Sequence, residues 1–274
     1  MVKNIIISCL LAFGLNSCEK EEFMIANLND NKITALGHGG MGKNSLSPMN
    51  SFESISRCLN FDIDGVEFDL QMTKDSVLVL YHDEDLSTKT NLSGLVNSST
   101  WSELQKAHYT QKAYLSYSII SLDQLFTHTK NIQEYTFTLD CKLYTKNNKS
   151  QFYTSYAEAL VEIIQKYDLM HNVTIESTDG AFLKLLKESG SDYKLFIYPD
   201  FFENGLDIAI DLNLFGITSS IENVTKRQIE IAHENNIRVA LFGTSSRSAH
   251  IKAIEMNPDY LQTDNVPGLI KLLN

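Results

Sequence analysis

The sequence predicts a single-domain α/β protein, a (β/α)8 barrel of the TIM type, and three observations carry that expectation. From Ile33 onward, short segments rich in β-branched and aromatic residues alternate with amphipathic ones. The stretch from Ile33 to Asn274 is close to the roughly 250 residues common in such barrels. The competing doubly wound sheet usually follows its first strand with a G-x-G-x-x-G turn. Here that strand runs into His38-Gly39-Gly40-Met41-Gly42, which lacks the spacing, and the chain contains no P-loop.

In chain order, strands are expected at Thr34–His38, Gly65–Gln71, Val77–His82, Thr136–Lys142, Val173–Glu176, Lys194–Tyr198, Phe215–Thr218, Arg238–Phe242 and Tyr260–Gln262. Helical patterns fall near Ser51–Asn60, Leu122–Lys130, Ser155–Tyr167, Gly180–Ser189, Gly205–Asp211, Thr225–Asn235 and Arg247–Met256. Gln71 to Val77 is too short for the crossover helix that joins parallel strands, so a hairpin or an extended return is expected there. Nine candidate strands for eight barrel positions make one of them accessory.

The first residues read as a leader. Met1-Val2-Lys3-Asn4 is a short basic start, and Ile5 to Leu15 is an apolar run too short for a permanent span of about 20 residues. It ends in Leu15-Asn16-Ser17-Cys18, which resembles the lipobox of bacterial lipoproteins. That resemblance implies a signal peptide over residues 1–17 and a lipid on the Cys18 thiol. A tether over 18–32 and a barrel over 33–274 would follow. The implied location is the bacterial cell envelope, on its periplasmic or surface side. Cys58 and Cys141 are then expected as buried free thiols.

The whole chain has 274 residues, 43% hydrophobic and 21% charged, which excludes a disordered or collagen-like chain. Its formal net charge of −11 excludes a broad nucleic-acid-binding face. It does not exclude a small phosphate-bearing substrate.

Barrel active sites form at the C-terminal ends of strands. There the sequence places His38, then Glu67 and Asp69 on one strand face, then His82, then Asp140 and Lys142 on one face with Cys141 on the other. Carboxylate oxygens suit a hard divalent cation such as calcium or magnesium. Histidines titrating near neutrality suit proton transfer to and from oxygen. A lysine among carboxylates is either a counter-ion or a phosphate contact.

Gly37-His38-Gly39-Gly40, Pro48-Met49-Asn50-Ser51-Phe52-Glu53, Asp64-Gly65-Val66-Glu67-Phe68-Asp69 through Asp75, Tyr81-His82-Asp83 and Thr263-Asp264-Asn265-Val266-Pro267 together resemble the glycerophosphodiester phosphodiesterase family. The resemblance implies a barrel of the phosphatidylinositol-phospholipase-C-like type and metal-dependent release of an alcohol and sn-glycerol 3-phosphate. His38 and His82 would be the acid–base pair. Glu67, Asp69 and Asp140 would be metal ligands, with Asp140 where the family usually has glutamate. Lys142 and Asn50 would be substrate-binding residues. Glu84 to Ser118 would be the family's inserted segment, with Trp101 anchoring its fold.

Two departures bear on activity. The family's His-Arg-Gly is His38-Gly39-Gly40 here, and its Pro-Glu-Asn-Thr is Pro48-Met49-Asn50-Ser51. They support a second reading, a surface lipoprotein that binds a phosphodiester or related ligand with little or no turnover.

Overall fold

The computed structural model describes residues 22–43, 45–190 and 192–274. The leader over residues 1–17 and Cys18 therefore lie outside the described residues. Eight parallel strands form the barrel: β1 (Thr34–His38), β2 (Gly65–Met72), β4 (Thr136–Cys141), β5 (Val173–Ser177), β6 (Lys194–Ile197), β7 (Gly216–Ser220), β8 (Arg238–Thr244) and β9 (Tyr260–Thr263). Their spatial order β1-β9-β8-β7-β6-β5-β4-β2 closes through a β1–β2 pairing. The accessory strand is β3 (Leu78–Leu80), antiparallel to the end of β2 with Leu70 opposite Leu80. Of the two expected connections, the hairpin is the one that forms. His82 therefore does not end a barrel strand, as its place in the sequence implied, but follows a return stroke.

Period-2 alternation sorts the strand residues onto two faces. Outward, Val66, Phe68, Leu70, Phe137, Leu139 and Ile175 are buried against the helices. Phe137 packs its ring 6.2 Å from Phe68 and 5.4 Å from Phe126. A phenylalanine buried in this way contributes on the order of 3–5 kcal/mol relative to alanine. Inward, the lower barrel is plugged by Leu36, Phe196, Ala240 and Tyr260. A side chain at Gly216 would meet the Phe196 ring at 2.2 Å, so glycine there lets the plug fill the barrel. Above the plug the inward face turns polar, with Glu67, Asp69, Thr138, Asp140, Thr174 and Glu176 all buried.

The helices start where capping side chains allow. Ser51 caps α1 (Phe52–Leu59), and Ser121 and Thr225 form capping boxes at α3 (Leu122–His128) and α7 (Lys226–Glu234). Between α1 and α3 lies the short α2 (Trp101–Leu104) of the inserted segment. Trp101 packs there against a separate small core that includes Tyr81, Leu86, Val96 and Leu104. Next come α4 (Lys149–Lys166), α5 (Gly180–Glu188) and α6 (Phe202–Asp211). Capped by Asn148, α4 begins at Lys149, six residues before the expected start at Ser155, which extends the helix through Phe152 and Tyr153. After α8 (Arg247–Glu255) comes α9 (Val266–Leu273), a helix the sequence reading omitted, capped by Asn265 with proline in its first turn. Cys58 and Cys141 are buried and free.

The end of the expected tether is bonded to the barrel floor. Buried Asp259 accepts from Leu28 N–H at 2.7 Å, and Arg238 donates to Asn29 Oδ1 at 2.9 Å and to Leu28 O at 3.0 Å. The polar, aperiodic sequence there satisfies the buried Asp259 and the half-buried Arg238 at the N-terminal ends of β9 and β8.

Candidate active site

The candidate site sits where the polar layer opens at the C-terminal end of the barrel. Barrel closure sets its first pair. Because Gly37 stands opposite Thr263, the next residues, His38 and Asp264, come side by side, with Nδ1 2.9 Å from Oδ1. On its other side, His38 Nε2 lies 3.9 Å from Glu67 Oε2. Burial works against charge on His38, but the Asp264 hydrogen bond and Glu67 outweigh it and raise the imidazole to about 9.

The hairpin delivers the second histidine. Tyr81 N–H donates to the Asp69 carbonyl at 3.1 Å, which brings His82 back over the end of β2. Gln71 fixes the turn by donating to the carbonyls of Tyr81 at 2.9 Å and Asp83 at 2.8 Å. His82 Nδ1 meets Asp83 Oδ1 at 2.6 Å. Asp83 in turn accepts from Thr88 at 2.6 Å and Lys89 at 3.0 Å. Burial raises the Asp83 carboxyl, but these partners outweigh it and hold it at about 2. The side chain of His82 is 50% exposed and that of His38 is 17% exposed, so the two face different surroundings.

Between the histidines lie three buried carboxylates. One oxygen each from Glu67, Asp69 and Asp140 falls within 4.8 Å of the others. Lys142 Nζ bridges Asp69 Oδ1 at 3.1 Å and Asp140 Oδ2 at 2.5 Å. Asp140 Oδ1 is buried without a hydrogen-bond partner, the kind of orphaned acceptor a cation would satisfy. Burial and the neighbouring Asp69 push Glu67 up. Burial likewise pushes Asp140 up, with Lys142 pulling the other way. Asp69 alone is held low, because Lys142, His82 and Asn50 outweigh its burial. The donor set is all oxygen and carries more acid than its one lysine neutralises, which fits a hard divalent cation.

Of the two expected substrate-binding residues, Lys142 faces the cavity while tied to the carboxylates. Asn50 also lines the cavity, but both ends of its amide are used by Asp69: Nδ2 donates to Oδ2 at 2.7 Å, and Oδ1 accepts from the Asp69 N–H at 3.0 Å. Its φ of +66° places it in the left-handed region, which asparagine tolerates better than most residues. These two bonds hold Asp69 in position.

Sequence reasoning missed three carboxylates. Asp264 and Asp83 orient the histidines. Glu176, which as a strand-end residue at the mouth could either touch substrate or simply pack, extends the acidic row because Asp69 pairs with Asp140 and Asp140 with Glu176. Thr218 donates to Glu176 at 2.7 Å. Burial and Asp140 push the Glu176 carboxyl well up, toward the neutral acid. The cavity above these groups measures about 720 Å³.

Residues 38–267 match the model of the glycerophosphoryl diester phosphodiesterase family. The chain belongs to that family. Membership makes it an enzyme of the phosphoric diester hydrolase class. The glycerophosphodiester phosphodiesterase of Caldanaerobacter subterraneus is 23% identical over 88% of this chain and 98% of its own length. Among solved structures, a glycerophosphodiester phosphodiesterase from Parabacteroides distasonis superposes with a TM-score of 0.73 at 18% identity, over 88% of this chain and 96% of that one. An Oleispira antarctica phosphodiesterase, solved with its product sn-glycerol-3-phosphate, gives 0.72 at 16% identity over 88% and 96%. These likenesses show the same barrel.

Against that family the two departures at Gly39 and Met49 prove to be linked. A Cβ at Gly39 would lie 2.7 Å from both Cβ and Cε of Met49. Met49 thus occupies the space into which a side chain at 39 would grow.

Proposed function

We propose that the protein hydrolyses a glycerophosphodiester to an alcohol and sn-glycerol 3-phosphate. The observation that carries this reading is the convergence of two carboxylate-oriented histidines on one buried oxygen-donor cluster. Asp264 and Asp83 each engage an Nδ1, leaving each Nε2 available to the phosphoryl group. His82, half exposed, takes the proton of the attacking hydroxyl. His38, with carboxylates on two sides, is the imidazolium that returns a proton to the leaving alkoxide as the phosphorus–oxygen bond breaks. Glu67, Asp69 and Asp140 would hold the divalent cation, calcium or magnesium, which when bound supplies Lewis-acid polarisation of a phosphoryl oxygen. Lys142 offsets Asp69 and Asp140 and presents positive charge to the cavity. The alternative, a ligand-binding protein without turnover, lacks support, since the acid–base pair and the three carboxylates are assembled together.

The test follows release of sn-glycerol 3-phosphate from glycerophosphocholine. Chelated protein is expected to be inactive and to recover with calcium or magnesium; activity that persists in chelator defeats the metal assignment. Burial and Asp69 push Glu67 up to about 8, so without a cation it favours its protonated form at neutral pH and metal must displace that proton. Apparent metal affinity should therefore rise with pH through the neutral range, and calorimetry in buffers of different ionisation enthalpy reads the released protons directly.

The reading extends to the membrane through the proposed lipid on Cys18, which would hold the enzyme at the bacterial cell envelope. None of the helices among the described residues is long and apolar enough to cross a membrane. Cys18→Ala is expected to move the protein from the membrane fraction to the soluble fraction; unchanged fractionation argues against the anchor.

A further inference from the structure

The cavity wall carries a buried hydroxyl that the fold does not use. Four tyrosines line the cavity: Tyr81, Tyr109, Tyr114 and Tyr198. Tyr81 Oη lies 3.0 Å from Thr88 Oγ1, and Tyr114 O–H donates to Ser45 O at 3.1 Å. Among the described residues, neither Tyr109 nor Tyr198 has a hydrogen-bond partner for its hydroxyl. Tyr198 is half-buried, whereas Tyr109 is only 3% exposed. A tyrosine buried that deeply ordinarily finds a partner for its O–H. The Tyr109 hydroxyl is not sealed inside the protein, as that of Tyr193 is; its small exposure opens on the cavity.

The backbone at Tyr109 is pinned to the stretch that follows His82. Thr90 and Tyr109 form an antiparallel bridge, Thr110 N–H donates to Lys89 O at 2.9 Å, and Tyr109 N–H donates to Tyr117 O at 3.3 Å. The same stretch carries Thr88 and Lys89, which bond the Asp83 carboxylate that engages His82. The inserted segment therefore delivers the phenol beside the His82–Asp83 pair. Burial, with Tyr81, Asp83 and Asp69 adding to it, pushes that phenol up, so it keeps its proton in the neutral range.

The neighbouring donors are committed to carboxylates. Lys142 bonds Asp69 and Asp140, Asn50 Nδ2 donates to Asp69, and Thr88 and Lys89 donate to Asp83. On the His38 side, Met49 covers Gly39, so that wall offers no charged donor. Negative charge on the non-bridging oxygens of a phosphodiester is stabilised by donors already aimed at it. We propose that Tyr109 is a further catalytic residue, its O–H donating to a non-bridging phosphoryl oxygen beside His82. The proposal rests on the hydrolase reading above and adds a residue to its machinery. Water adds to phosphorus, the phosphorus–oxygen bond to the alcohol breaks, the histidines carry the protons, and Tyr109 keeps its own.

The test is Tyr109→Phe, which keeps the buried ring and removes a hydroxyl that bonds nothing in the protein. Its thermal midpoint should therefore match or exceed that of the wild type. Its kcat on glycerophosphocholine should fall about 10–10²-fold, the scale of one hydrogen bond to a charged group. The loss should be equal on a nitrophenyl phosphodiester, because both substrates present the same phosphoryl oxygens. Calorimetry in calcium should show sn-glycerol 3-phosphate binding weakened about 2–10-fold. Unchanged turnover overturns the assignment and leaves the hydrolase reading standing. A loss confined to glycerophosphocholine would place Tyr109 at the leaving group and overturn it too. A midpoint several degrees lower would show the hydroxyl bonded within the fold, with the same result. If the wild type cleaves neither diester with metal present, the hydrolase reading fails; sn-glycerol 3-phosphate affinity unaltered in the variant then overturns the Tyr109 contact as well.

Discussion

His38→Ala is expected to lower the rate on glycerophosphocholine by about 10²–10⁴, and to lower it far less on a nitrophenyl phosphodiester. The difference follows from the leaving group. Choline leaves as a strongly basic alkoxide and needs a proton, whereas nitrophenolate departs without one. In the proposed mechanism His38 gives that proton, and Asp264 at 2.9 Å and Glu67 at 3.9 Å both favour its charged form. His82→Ala should lose activity on both substrates, since the nucleophile must be deprotonated in either case. Both variants should keep the wild-type thermal midpoint within a few degrees, which separates chemistry from folding. Equal losses of His38→Ala on the two substrates would reverse or abolish the assignment of acid and base.

How far the site could be read in advance depended on the range of the interaction involved. Glu67 and Asp69 share a face because a strand has period two, and Asp140 and Lys142 share a face for the same reason. Such pairs are local and therefore legible. His82 reaches the cavity by a route the sequence did not predict: the hairpin of β3, not the end of a barrel strand, brings it to Asp69. Asp264 was illegible as a partner of His38, because their contact spans 226 positions and exists only once β9 closes on β1. Asn50 lines the cavity, and the sequence did not show that its left-handed backbone also turns the amide onto Asp69. The barrel was predicted from alternation, whereas α9 (Val266–Leu273) escaped because Pro267-Gly268 in its first turn reads as a loop signal.

Linking Gly39 to Met49 also changes what the missing arginine means. Two separate losses near a phosphate site would point to decay. One packing exchange, in which an apolar side chain fills the space over a left-handed glycine at φ +56°, leaves the histidines and carboxylates in place. It places the Met49 side chain in the cavity lining beside His38 and Asn50.

Lys142→Met is expected to destabilise the metal-free protein by about 3–5 kcal/mol at neutral pH, the usual cost of removing one partner from a buried ion pair. Lys142 is the cation within hydrogen-bonding distance of both Asp69 and Asp140, and all three side chains are largely buried. Without it, burial dominates and the carboxyls of Asp69 and Asp140 sit above their unfolded values of about 3.9. The folded variant then binds more protons than the unfolded chain, so its stability falls as pH rises above about 4. Wild-type and variant stabilities should converge in acid and separate toward neutrality. A divalent cation, binding only the folded state, should recover part of the loss in the variant. Urea unfolding at pH 5, 7 and 8, in chelator and in calcium, measures each term. A variant as stable as the wild type at pH 8 in chelator would show that the carboxylates are solvated rather than buried. Under the proposed function, the same charge balance would let an acidic protein accept a phosphodiester: acid at the site is paired with Lys142 and would ligate a cation, so those positive partners, rather than the net charge of −11, would set the field at the floor.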